Sequence, residues 1–253
     1  MAFYDLDKKE RQDLVLLMHQ EILVALKKNS NEKILLYFSD EDTYIRKNAY
    51  LIIGKIYKSA EEFQSNILGL LEKFFLSKNE KVRQTAINAA GEIAMKEFGP
   101  VELLMEKGFF DEHHSVRNAV IGSIKKAGEK NPLPLLTFAR KFLKHPDKEI
   151  RREICHGIEL RGRTHPEDIL PLLKELQHDK TSRVRNTLVH VLGQIAYKKG
   201  CLAIVVNDLK TWDNKDLVAD ALEEIIDVHH RYRDFAILTQ DQAALYIQEN
   251  YPC

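Results

Sequence analysis

With 253 residues, 44% of them hydrophobic and 30% charged, the chain has enough apolar material for a core and too much for a disordered polymer. Its 38 Lys and Arg balance its 38 Asp and Glu, which disfavours a general polyanion binder and requires any nucleic-acid surface to be local. No apolar run approaches the roughly 18 residues of a membrane span, and the N-terminus is too charged for a secretory signal. Cys155, Cys201 and Cys253 form neither a CxxC pair nor a disulfide framework, which fits a reducing cytoplasm.

The segments DKKERQDLVLLMHQEILVALKK and NEKILLYF predict a first, looser helix pair. From Ile45 onward the chain repeats itself. Apolar-Arg pairs recur at Ile45-Arg46, Val82-Arg83, Val116-Arg117, Ile150-Arg151 and Val184-Arg185. Their apolar members lie 37, 34, 34 and 34 residues apart, and a step of 33 reaches Leu217, followed by Val218 in place of Arg. Counted from each apolar member, position +4 is Ala49, Ala86, Val120, Ile154, Leu188 and Ala221, and position +8 is Ile53, Ala90, Ile124, Ile158, Leu192 and Ile225. Positions 0, +4, +5 and +8 share one face of an α-helix, and the mostly polar +2 and +3 are expected to face away. A second apolar segment follows in each repeat, with Pro132, Pro134, Pro166 and Pro171 read as lying within or just before helix starts. The intervening turns place Asp40, Asp111, Asp147 and Asp179 near the start of the next helix. NKDLVADALEEIIDVHH and AILTQDQAALYIQENY form the last pair, and no strand pattern competes. The expected fold is an all-α solenoid, an α-α superhelix of about seven helix pairs in one domain over 1–253. Its units lie near 5–38, 40–77, 79–110, 112–144, 147–178, 180–210 and 213–250.

This pattern resembles the HEAT repeat, in particular the short variety of bacterial and phycobilisome-lyase-like proteins. The shared features are an acid, two to four residues, apolar-Arg, an apolar residue or Ala at +4, and often Gly at +9. Gly54, Gly91 and Gly193 keep the glycine; Lys125, Glu159 and Ile226 do not. The resemblance covers about Asp40 to Asp227 and implies a scaffold that holds a large partner on an extended concave surface. It also implies a structural ladder in which Arg46, Arg83, Arg117, Arg151 and Arg185 pair with acids near the inter-repeat turns. Acids such as Asp42, Asp111, Asp147 and Asp179 stand four or six residues before most of them.

A basic middle, Arg140 to His165, holds eight Lys and Arg against four Asp and Glu. Arg140, Lys144, Lys148, Arg152, Arg161 and Arg163 are its candidate anion-binding residues, beside the plainer reading of a solvated, acid-balanced helix face. Arg161 stands at +11, elsewhere apolar, so that helix is expected to end early, with RGR forming a turn that points both arginines outward. His156 and His190 both occupy +6; one helix spacing, about 10 Å, separates such positions, too far for a single metal. No metal site and no cofactor are expected. Cys155 stands beside His156 at an apolar position and reads as core. The middle repeats are also loosely similar to HEAT-like alkylpurine DNA glycosylases, which use an Asp and concave-face tryptophans. The single tryptophan, Trp212, in a late DLKTWDN context, and the absence of a matching Asp depart from that pattern. The reading favoured is a cytoplasmic, non-enzymatic scaffold whose second-helix face holds a protein partner. The alternative is a nucleic-acid-binding HEAT-like protein using the basic middle, and a chromophore-lyase-type chaperone ranks third.

Overall fold

A computed structural model describes residues 2–251, so Cys253 lies outside the described residues. All regular elements among the described residues are helical, and none is long and apolar enough to cross a membrane. The chain divides into two compact units, Met1–Asn131 and Pro132–Cys253. Each is built as an α-solenoid of HEAT-like helix pairs.

The first unit holds α1 (Lys8–Lys27), α2 (Glu32–Ser39), α3 (Thr43–Ser59), α4 (Gln64–Phe75), α5 (Glu80–Ala94), α6 (Glu102–Phe109) and α7 (His114–Lys130). The second holds α8 (Pro132–Phe142), α9 (Lys148–Gly157), α10 (Glu159–Gly162), α11 (Pro166–Lys174), α12 (Ser182–Ala196), α13 (Cys201–Leu209), α14 (Lys215–Arg231) and α15 (Gln240–Asn250). The helices that carry the apolar-Arg pairs form a layer within each unit: α3, α5 and α7 in the first, and α9 and α12 in the second, where α14 with Leu217-Val218 continues it. Their stripes are buried, as at Val82, Ala86, Ile87 and Ala90, or Ile150, Ile154, Cys155 and Ile158.

The +9 glycines explain how closely this layer packs. A Cβ on Gly91 would lie 2.6 Å from Ser123 Cβ, and one on Gly193 would lie 2.8 Å from Glu224 Cγ. A side chain there would push successive first helices apart. The same packing buries +3 in three of the six repeats, at Thr85, Ala119 and Glu153, whereas Asn48 and Thr187 are half-buried and Asp220 is exposed. Thr85 Oγ1 donates to Phe38 O at 3.2 Å.

Two prolines behave differently. Pro166 opens α11, whereas Pro171 lies inside it. Pro171 has no N–H to give the carbonyl of Glu167, and Glu167 is an exposed residue. The helix break in the basic middle also comes earlier than expected. It falls at Gly157-Ile158, and Arg161 sits inside the short α10.

Candidate functional site

The arginine column fastens turns. Arg83 Nη1 donates to the carbonyls of Ser77 (2.9 Å) and Lys78 (3.2 Å), six and five residues back. Arg46, Arg117, Arg151 and Arg185 each reach the carbonyl six residues back in the same way. Carboxylate pairing runs forward into the next turn and not back to the preceding acid. Arg83 grips Asp111 through Nε (2.8 Å) and Nη2 (3.0 Å), and Arg151 grips Asp179 through Nε (2.5 Å) and Nη2 (3.0 Å). Both carboxylates are 5% exposed. Each also accepts the N–H of the residue two further on, His113 or Thr181, and so shapes the turn as well as the pair. Asp40, Asp111 and Asp179 are therefore turn residues two places before the N-cap; Asp147 is itself a cap. After Arg46 and Arg185 the corresponding positions are Ser77 and Trp212, and no carboxylate clasp forms there.

The six basic candidates do not converge. Arg140 and Lys144 both face Glu175, at 3.3 and 3.6 Å. Lys148 is exposed at the start of α9. Arg161 is held by Asp168 of α11 through Nε (2.7 Å) and Nη2 (2.6 Å), and does not point outward. Arg163 turns inward as well, its Nη2 donating to Glu159 (2.5 Å) and Gln194 (2.9 Å). Glu159 and Gln194 are almost fully buried. Glu159 takes the +9 place where three of the six repeats keep glycine.

Arg152 alone of the six lines a polar groove, of about 490 Å³, between α9 and α12. His156 lines it from α9, and Ser182, Arg183, Asn186, Thr187 and His190 from α12. Steps of four residues put Arg152 with His156, and Asn186 with His190, on one face of each helix. Glu149 spans the two arginines: Arg152 Nε donates to its Oε2 at 2.9 Å, and Arg183 Nη1 lies 3.2 Å from its Oε1. His156 Nδ1 lies 2.9 Å from Glu159, and His190 Nδ1 lies 3.5 Å from Glu224. The two imidazole rings are 6.1 Å apart, closer than the helix spacing suggested. Among the described residues, no group of three His, Cys, Asp or Glu is arranged to hold a metal. The groove lies on the apolar-Arg layer, between α9 and α12.

A further groove, of about 1050 Å³ and mostly apolar, runs along α14 and α15 past Leu222, Ile226, Ala244 and Ile247. Cys155 is wholly buried and its thiol is pushed well above the ordinary range by desolvation, so it is core. Trp212 is wholly buried too, its Nε1 donating to Asp208 at 2.7 Å, which fixes it as packing at the end of α13.

No sequence-family profile matches the chain, and no curated protein matches it in sequence. Solved structures do match. AlkD2 from Streptococcus mutans aligns over 81% of this chain and 97% of its own, with TM-score 0.54 and 18% identity. A structure of crescerin, described as using a TOG domain array to regulate microtubules in the primary cilium, aligns over 77% of this chain and 88% of its own. Its TM-score is 0.50 and its identity 16%. At such identities the likeness is one of fold: an α-solenoid of helix pairs.

Proposed function

We propose that the chain is a binding scaffold that holds a protein partner on the apolar-Arg layer of its second unit, at the groove between α9 and α12. The observation that carries this reading is the convergence of Arg152, Arg183, Asn186, His156 and His190 on one open groove. Three side-chain chemistries from two helices converge there with no structural task that requires all of them. A helix-pair array suits this work because it gives up little conformational freedom on binding. The nucleic-acid alternative needs a continuous positive track along a phosphate backbone. Five of its six residues lie elsewhere, and Arg140, Lys144, Arg161 and Arg163 face acids of their own, which weighs against it.

The test is a photo-crosslinking amino acid at Asn186, compared with one at Leu133, an exposed position on α8. Crosslinking in producing cells should give a defined, protease-sensitive adduct from Asn186 alone. A nuclease-sensitive adduct would move the assignment to nucleic acid. Identical patterns from both positions would remove the groove from consideration.

A further inference from the structure

We infer that the Arg152–Arg183 pair is a receptor for one phosphate monoester on the partner polypeptide, and that Glu149 occupies it as an internal stand-in that the phosphoryl group displaces. This rests on the scaffold reading above and deepens it. The geometry already displays the recognition event. Guanidiniums from α9 and α12 meet one carboxylate: Arg152 Nε donates to Oε2 of Glu149 at 2.9 Å, and Arg183 Nη1 lies 3.2 Å from its Oε1. Guanidiniums bind carboxylate and phosphate oxygens alike, so a phosphoryl group can take the place of the carboxylate.

The resident carboxylate sets what can replace it. Glu149 is tethered beside the pair, so its effective concentration is high and it competes with any incoming anion. A partner's Asp or Glu offers the same charge and the same two oxygens, and gains nothing in the exchange. An internal phosphodiester also carries one charge and two free oxygens, and fares no better. A phosphate monoester carries about −1.5 to −2 charges at neutral pH and three acceptor oxygens. It can engage both guanidiniums and still accept from Asn186, Ser182 or the imidazoles that line the same groove. Arg183 has a side chain 65% exposed, and Glu149 one 33% exposed, so the clamp opens to solvent without disturbing the core.

The surroundings confine the positive charge to this point. Arg152 also lies 3.5 Å from Glu153 on its own helix, and His190 lies 3.5 Å from Glu224 of α14, so the cationic groups are limited to the two guanidiniums. A focal positive site between acidic neighbours fits one dianion on a folded or extended polypeptide and not a run of phosphates.

The experiment is fluorescence anisotropy on the full chain. The probes are a degenerate labelled peptide pool carrying one phosphoserine, the same pool with serine, the same pool with glutamate, and oligonucleotides with and without a 5′-phosphate. Wild type should bind the phosphoserine pool and neither of the other peptide pools. Glu149→Gln should bind it several-fold more tightly, because the competitor has lost its charge, and Arg183→Gln should lose it. These two substitutions change affinity in opposite directions at one exposed pair, which a folding defect would not do. Equal affinity in wild type and Glu149→Gln overturns the displacement. Equal binding of the serine or glutamate pool overturns the phosphoryl preference. Preferred binding of either oligonucleotide overturns the protein assignment. If Arg183→Gln leaves the Asn186 crosslink at full yield, the phosphoryl inference falls while the scaffold reading stands; if wild type gives no Asn186 crosslink, the scaffold reading falls first.

Discussion

Asp179→Ala tests the clasp that joins two consecutive repeats in the second unit. Asp179 is 5% exposed and accepts two bonds from Arg151 and one from the N–H of Thr181. Removing one partner of a buried pair strands the other charge and typically costs about 3–5 kcal/mol. Arg151 keeps its bonds to the carbonyls of His145 and Pro146, so the low end applies, about 3 kcal/mol. That is a large fraction of a domain stability of about 5–15 kcal/mol. Trp212 is the only tryptophan, is wholly buried, and belongs to the same unit, so its fluorescence in a urea titration reports the relevant transition. With a slope of about 1–3 kcal/mol per molar, the midpoint should fall by roughly 1–3 M. The pH dependence has a definite sign. Arg151 holds the Asp179 carboxyl below its ordinary range, so its contribution is complete above the unfolded value, near pH 4, and is lost as pH falls through the lower folded value. The penalty of Asp179→Ala should therefore be large at pH 7 and shrink at pH 3. Arg185→Ala, which removes a carbonyl bond and no carboxylate clasp, should cost only about 1 kcal/mol. A loss below about 1 kcal/mol for Asp179→Ala, or a double-mutant cycle with Arg151→Ala that shows no coupling, would refute the clasp.

Gly91→Ala should destabilise the first unit by about 1–3 kcal/mol, since its Cβ would lie 2.6 Å from Ser123 Cβ; adding Ser123→Gly should restore part of the loss in a thermal melt followed by circular dichroism. His229 is buried and its pKa is lowered by desolvation, so the unfolded chain takes up a proton first as pH drops below about 6.5. Stability should fall over that window by at most about 1.4 kcal/mol per pH unit for this one proton, and His229→Gln should flatten the slope in urea titrations at closely spaced pH. Burial raises the pKa of both Cys155 and Cys201, so peptide mapping after iodoacetamide at pH 8 should find neither alkylated in the native chain and both alkylated in urea.

The fold was legible because burial writes a period. The stripe Val82, Ala86, Ile87 and Ala90 recurs in six copies, and stacking the copies within each unit is the way to bury them. The glycines at +9 were visible as a pattern, but their reason was not: the Gly91–Ser123 approach lies between repeats, and no single repeat contains it. The arginine column was legible for the same reason of period, whereas its partners were not. Searching backwards from Arg151 finds Asp147, a helix cap, while the carboxylate it grips is Asp179, 28 residues on. Counting net charge along the chain failed for a related reason. Arg140, Lys144, Arg161 and Arg163 are close in sequence, but helix turns of 3.6 residues and a broken helix send them to three different acids. The groove gathers residues by column instead. Arg152 and Asn186 share +2, His156 and His190 share +6, and Glu149 and Arg183 share −1 in adjacent repeats. In a stacked array, like positions of neighbouring repeats are neighbours in space, so a site is read across the repeats and not along the chain. Read that way, a change of charge between equivalent positions, Glu149 in one repeat and Arg183 in the next, is the signal that marks the clamp.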